Sequence, residues 1–104
     1  MDHNYFNLLI DYYGSLITKH QRSILEDYFF DDLSMSEIAE NRNISKSAVS
    51  DIINRSTKQL EEFEKQLHLV KDIDRINSVL DEMNNSNNKE LEKYAKKIEK
   101  IMRG

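Results

Sequence analysis

The chain has 104 residues, no Cys, Pro or Trp, and 19 acidic residues against 15 Lys and Arg, for a formal net charge of −4. A chain this short buries about two-thirds of its unfolded surface in one small core, which excludes a two-domain enzyme. The lack of Cys excludes a disulfide framework, a thiolate zinc site and a Cys nucleophile, and suits a reducing compartment. The negative total excludes nonspecific coating of nucleic acid by phosphate neutralisation and leaves room only for a local basic patch.

Leu8-Leu9-Ile10 is followed at once by Asp11, far short of a signal-peptide core or the ~20 apolar residues of a membrane span, so a soluble, cytoplasmic protein with no membrane partner is expected. With two Gly and no Pro, Asn, Ser and Asp are left to punctuate the chain, as capped helices require. Phe6, Leu9, Ile10 and Tyr13 form a first apolar stripe at helical spacing, and Gly14 lets that helix end or bend. Thr18 and Gln21 make a capping box ahead of Ile24, Leu25, Tyr28 and Phe29; Ser34 and Glu37 make a second, ahead of a short segment with Ile38 and Ala39 inward. Ser45 is a third N-cap, ahead of Ala48, Val49, Ile52 and Ile53.

Further on, Leu60, Phe63, Leu67 and Val70 alternate steps of three and four, and Ile73, Ile76, Leu80 and Met83 continue after a break or rotation near 68–73. The run Asn84-Asn85-Ser86-Asn87-Asn88 is a loop, and Leu91, Tyr94, Ala95, Ile98, Ile101 and Met102 line a last helix. No stretch alternates with period two for long enough to form a strand. The expected fold is all-α with five to six helices: a helix-turn-helix domain over 1–66 and a C-terminal helical extension over 67–104 that serves dimerisation or packing.

Charge is segmented along this plan. Residues 1–33 carry −4, 34–60 carry +1, 61–88 carry −4 and 89–104 carry +3, so two relatively basic windows lie inside an acidic chain.

The stretch Leu33–Arg55, L-S-M-S-E-I-A-E-N-R-N-I-S-K-S-A-V-S-D-I-I-N-R, has the spacing of a helix-turn-helix. Ser34 caps a first helix of about one and a half turns, small Ala39 allows a close crossing, and Asn43 sits where the turn calls for a left-handed residue. Ile44 plugs the core and Ser45 caps the second helix. Arg42 stands where an apolar residue is usual, so the turn is expected to be loosely packed or Arg42 to snorkel over the core. With Ala48, Val49, Ile52 and Ile53 inward, the second helix presents Ser47, Ser50, Asp51, Asn54 and Lys58 outward, with Lys46 and Arg55 at the margins. Such a helix enters a major groove, where Asn pairs with adenine and Lys or Arg reaches guanine or phosphate; Asp51 opposes phosphates unless it pairs with Arg55. The nucleic-acid-binding candidates are Ser45, Lys46, Ser47, Ser50, Asn54, Arg55 and Lys58.

Upstream, Leu16-Ile17-Thr18-Lys19-His20-Gln21-Arg22 and Tyr28-Phe29-Phe30-Asp31-Asp32-Leu33-Ser34 resemble the start of the region-four helix-turn-helix of bacterial sigma factors. With its Tyr- and Leu-rich first helix and a tail running through Leu60-Glu61-Glu62-Phe63-Glu64-Lys65-Gln66-Leu67-His68-Leu69, the chain resembles the YlxM family over residues 5 to about 83. Those are small bacterial DNA-binding proteins linked to the signal recognition particle. The resemblance implies a regulator or accessory factor of that pathway, acting on its RNA or on DNA and in contact with its proteins. The alternative is a protein–protein adaptor whose sigma-like helix-turn-helix does not bind DNA.

Lys89, Lys93, Lys96, Lys97 and Lys100 share one side of the last helix and offer either an auxiliary nucleic-acid contact or a solvated face. Leu60, Phe63, Leu67, Val70, Ile73, Ile76 and Leu80 form a candidate homodimer seam. The aromatic cluster Tyr12, Tyr13, Tyr28, Phe29, Phe30 and Phe63 is expected to pack in the core rather than to stack on bases. His3, His20 and His68 are too scattered for a metal site, neither Asp31-Asp32 nor Glu61-Glu62 forms an acid/base pair, and there is no Gly-rich phosphate loop. No enzyme activity, cofactor, metal or small-molecule substrate is expected.

Overall fold

The computed structural model describes residues 2–104. Among these the chain is all-α and contains no strand: α1 (His3–Tyr13), a 3-10 turn (Gly14–Leu16), α2 (Lys19–Phe29), α3 (Met35–Arg42), α4 (Lys46–Leu67), α5 (Leu69–Asn84) and α6 (Lys89–Arg103). It divides into two compact units, Met1–Val70 and Lys71–Gly104.

Local chemistry sets the helix ends in the first unit. Thr18 accepts from the Gln21 amide while the Gln21 side chain accepts from the Thr18 amide, and Ser34 and Glu37 repeat the reciprocal pair. Each box satisfies two amides that a helix start would otherwise leave without acceptors. The amide of Ser34 and its hydroxyl also hold the Glu37 carboxyl below the usual carboxylate range, the backbone bond contributing most. Gly14 ends α1 in ordinary right-handed geometry, not in a left-handed cap.

The three shorter helices pack against α4. Leu9, Ile10 and Tyr13 from α1, Ile24, Leu25 and Phe29 from α2, Ile38 and Ala39 from α3, and Val49, Ile53 and Leu60 from α4 make one buried cluster. Removing these branched and aromatic side chains from water is the main stabilising term of the unit, each fully buried one contributing about 1.5–3 kcal/mol before entropy is charged against it. The aromatic expectation holds for Tyr13 and Phe29, with Phe6 stacked on Phe29 at 5.1 Å, and for partly buried Tyr28 and Phe63. It fails for Tyr12 and Phe30, each 38% exposed, because helical spacing turns them outward.

The expected break in the long stripe falls at His68, which adopts a left-handed conformation (φ 56°) and separates α4 from α5. This turn is held by a partly buried cluster. The Tyr13 hydroxyl donates to Glu64 Oε1 at 2.5 Å and accepts from the Leu69 amide at 3.0 Å, while the Val70 amide donates to the same Glu64 oxygen at 3.0 Å. Burial, then the bond to Glu64, raises the Tyr13 phenol above its ordinary value.

In the second unit, Asn88 caps α6 by accepting from the Glu90 and Leu91 amides. The end of α5 meets the middle of α6, where the Asn84 side-chain amide donates to Glu99 at 2.8 Å. Leu80 and Ala95 are its buried apolar residues.

Candidate nucleic-acid interface

The α3–turn–α4 segment is a helix-turn-helix built as its sequence spacing requires. Asn43 ends α3 at φ 55° and ψ 45°, in the left-handed region. Its amide and that of Ile44 close onto the last carbonyls of α3, Ile44 onto Ala39 at 3.0 Å. Asn takes this conformation at lower cost than other non-Gly residues, so the chain reverses within three residues. The first helix, at eight residues, is longer than the one and a half turns expected.

Arg42 corrects the expectation of a loose turn or a snorkelling side chain. Its guanidinium donates to Asp27 at 2.9 Å from Nε, lies 2.8 Å from the same carboxylate through a second nitrogen, and donates to Ser23 Oγ at 2.5 Å. The α3 end is thereby bonded to α2 by a planar donor matched to a carboxylate. The sequence gives no local sign of it, because Asp27 lies 15 residues away.

Ser45 caps α4 by accepting from the Ala48 amide at 3.0 Å. The amides of Lys46 and Ser47 are left at the open helix end, where the backbone dipole favours anions. Lys46, Ser47 and Asn54 are exposed and Ser50 is half-buried. Together with Met35 and Asp51 they line an open groove of about 460 Å³. Met35 escaped the sequence reading; its only signal was its place directly after the Ser34 cap.

Arg55 is exposed but ion-paired to Asp51 at 2.9 Å, the outcome that an Asp four residues before an Arg makes available. Lys58 lies on the same side of α4, one turn (~6 Å) beyond Asn54, and lines a different groove with Tyr5, Glu61, Glu62, Glu64, Lys65 and His68. Thus Ser45, Lys46, Ser47, Ser50 and Asn54 are brought together, while Arg55 is engaged and Lys58 stands apart beside carboxylates. The motif's exposed cations without an ion-pair partner among the described residues are Lys46 and Lys58.

The five lysines of α6 are all exposed. Two flank Tyr94, with Lys97 Nζ 5.1 Å and Lys93 Nζ 6.0 Å from its ring centre. The dimer-seam candidates are scattered by the break at His68. Leu60 is buried in the first core, Phe63 and Val70 are partly buried against it, and Leu67 is 51% exposed. In the second unit Leu80 is buried, Ile73 partly so, and Ile76 exposed.

Among the described residues no helix is long and apolar enough to cross a membrane, and no group of three or more His, Cys, Asp or Glu is placed to hold a metal ion.

Comparison with known proteins agrees with the helix-turn-helix. The profile of the UPF0122 family, YlxM/p13-like helix-turn-helix proteins, matches residues 1–101 and so extends through nearly all of α6. A UPF0122 protein of Clostridium perfringens (strain SM101) is 37% identical over 103 residues, 92% of both chains. One of Malacoplasma penetrans is 47% identical over 70 residues, 67% of this chain and 65% of that protein. One of Lactococcus lactis subsp. cremoris is 42% identical over 80 residues, 77% and 72% of the two chains. With a family profile spanning almost its full length and a helix-turn-helix at its centre, the chain belongs to the UPF0122 family of YlxM/p13-like helix-turn-helix proteins.

Proposed function

We propose that this protein is a cytoplasmic nucleic-acid-binding regulator or accessory factor of the signal recognition particle pathway, and that it acts as a homodimer. The observation that carries the binding function is the cluster at the start of α4. An N-capped helix end leaves the amides and side chains of Lys46 and Ser47 beside Ser50 and Asn54 around an open groove. In this reading the helix end and Lys46 take phosphate, Ser47 and Ser50 set register, and Asn54 reads a base edge. Arg55 contributes once a phosphate displaces Asp51, and Lys58 adds an outer phosphate contact. The lysines of α6 supply an auxiliary contact. The pathway, with its RNA and proteins as partners, is carried by the family resemblance alone.

The test is a competition titration of the protein with signal recognition particle RNA, promoter-length DNA and unrelated RNA at two salt concentrations. Binding that falls steeply with salt and is lost when Lys46, Asn54 and Lys58 are changed to Ala is the expected result. Preference for the particle's RNA supports the pathway. Binding insensitive to both salt and the three substitutions overturns the nucleic-acid reading.

A second reading, an adaptor that docks on a protein and leaves nucleic acid alone, is favoured by the Asp51–Arg55 pair, which places an exposed carboxylate on the presented face. An adaptor tolerates the three alanines and loses its partner when exposed acids such as Glu61 and Glu62 are neutralised.

A further inference from the structure

The second unit is built with less interior than its size requires. Its 34 residues bury two apolar side chains, Leu80 and Ala95. Units below about 40 residues generally need a disulfide, a metal or association with another chain to hold a fold. The chain has no Cys, and no group among the described residues is placed to hold a metal ion, so neither of the first two devices serves it.

The surface left open is one apolar face to which both α5 and α6 contribute. On α5, Ile76 and Val79 are exposed beside Leu80 and Met83, the i, i+3, i+4, i+7 positions of one helix face. With Arg75, Ser78 and, from α6 of the same chain, Ile98, they line an open groove of about 720 Å³ whose edge carries Asp74 and Asp72, the latter ion-paired to Arg75. On α6, Tyr94, Ile98 and Ile101 stand at i, i+4 and i+7 and are all exposed, Ile101 at 79%. Lys93 and Lys97 border that stripe. The α5 side of this face is edged by Asp72 and Asp74 and the α6 side by Lys93 and Lys97, the kind of apolar and charge complementarity by which one helix seats against another. One chain carries both, so a two-fold axis makes the contact twice. The same charges oppose the arrangement that sets α5 against α5 or α6 against α6, since like edges would then face each other.

We infer that the homodimer forms through the second unit, with the Tyr94–Ile98–Ile101 stripe of each copy seated on the Ile76–Val79 face of the other, and not through Leu60, Phe63 and Leu67, the α4 part of the candidate seam. This rests on the dimer in the proposed function and is independent of whether nucleic acid binds.

Sedimentation of the full chain from about 1 to 100 μM tests it. The expected result is a dimer whose dissociation constant rises at least ~10-fold, about 1.4 kcal/mol, on Ile101→Glu or Val79→Glu, and is unchanged by Leu67→Glu. A second measurement does not depend on how those variants fold. Lys93→Glu/Lys97→Glu and Asp72→Lys/Asp74→Lys, each weakened alone, are expected to dimerise when mixed, because both contacts of the mixed pair regain opposite charges. A monomer throughout the range overturns the dimer and the inference together. A dimer that Leu67→Glu disrupts and Ile101→Glu leaves intact overturns the inference alone, as does a charge-reversed mixture no more dimeric than its components.

Discussion

Arg42 and Asp27 show how much of the first unit depends on side-chain chemistry that no periodicity announces. Both are mostly buried, at 27% and 21% side-chain exposure, so removing one leaves the other short of a partner it cannot regain fully from water. Arg42→Ala is expected to destabilise the protein by about 1–3 kcal/mol. Urea unfolding of Arg42→Ala, Asp27→Ala and the double variant checks it, and the double variant should lose less than the sum of the two. Tyr13→Phe removes the acceptor of the Leu69 amide and a donor to Glu64, with an expected loss of about 1–2 kcal/mol. The raised Tyr13 phenol adds a pH signature. Its contribution is fully present below the unfolded tyrosine value of about 10 and is lost as pH rises through the higher folded value, so Tyr13→Phe should show a smaller alkaline loss than the parent. Glu37 has the opposite sign. Its lowered carboxyl stabilises above about pH 4 and ceases to do so as pH falls through the folded value, so the difference between the parent and Glu37→Ala should narrow on acidification.

Helix ends and turns follow chemistry within three or four residues, and they are where sequence and structure agree most closely. Asn43 at φ 55° predicts a ranking: Asn43→Gly is tolerated within a few tenths of a kcal/mol, whereas Asn43→Val costs about 1–2 kcal/mol because its branched Cβ meets the following carbonyl. Thermal unfolding of the two variants decides it. Thr18, Ser34, Asn43 and Ser45 were legible because each cap is read from one residue and its near neighbours, and the stripes of α1, α2 and α4 because burial follows the 3.6-residue period. The Arg42–Asp27 bond and the Tyr13–Glu64 cluster were not legible, since their partners lie 15 and 51 residues apart and nothing local marks them. The candidate interface was legible as a face of α4. That Asp51 engages Arg55 was visible in the i, i+4 spacing, but that Met35 joins the groove depends on how α3 crosses α4.

At the scale of the whole molecule, the net charge of −4 coexists with a motif whose cations without an ion-pair partner among the described residues are Lys46 and Lys58. Two such lysines in one copy give a shallow salt dependence by themselves, and the steep one expected of the protein requires the contacts of both copies of the proposed dimer together. Each lysine is expected to add about 1 to the log–log slope of affinity against salt, so Lys46→Ala should lower that slope by about one unit per bound subunit, as binding isotherms at several salt concentrations would register. In the proposed dimer, doubling the motif raises affinity without new chemistry, the route by which an acidic chain would hold a polyanion. The Tyr13–Glu64 cluster has its own long-range consequence. The first turn of α5 is tied to the end of α1, so the Leu69 and Val70 amides report on a helix some 55 residues earlier in the chain. Their hydrogen exchange should accelerate in a protein shortened from its amino end to begin after Gly14, although every residue of α4 and α5 is still present.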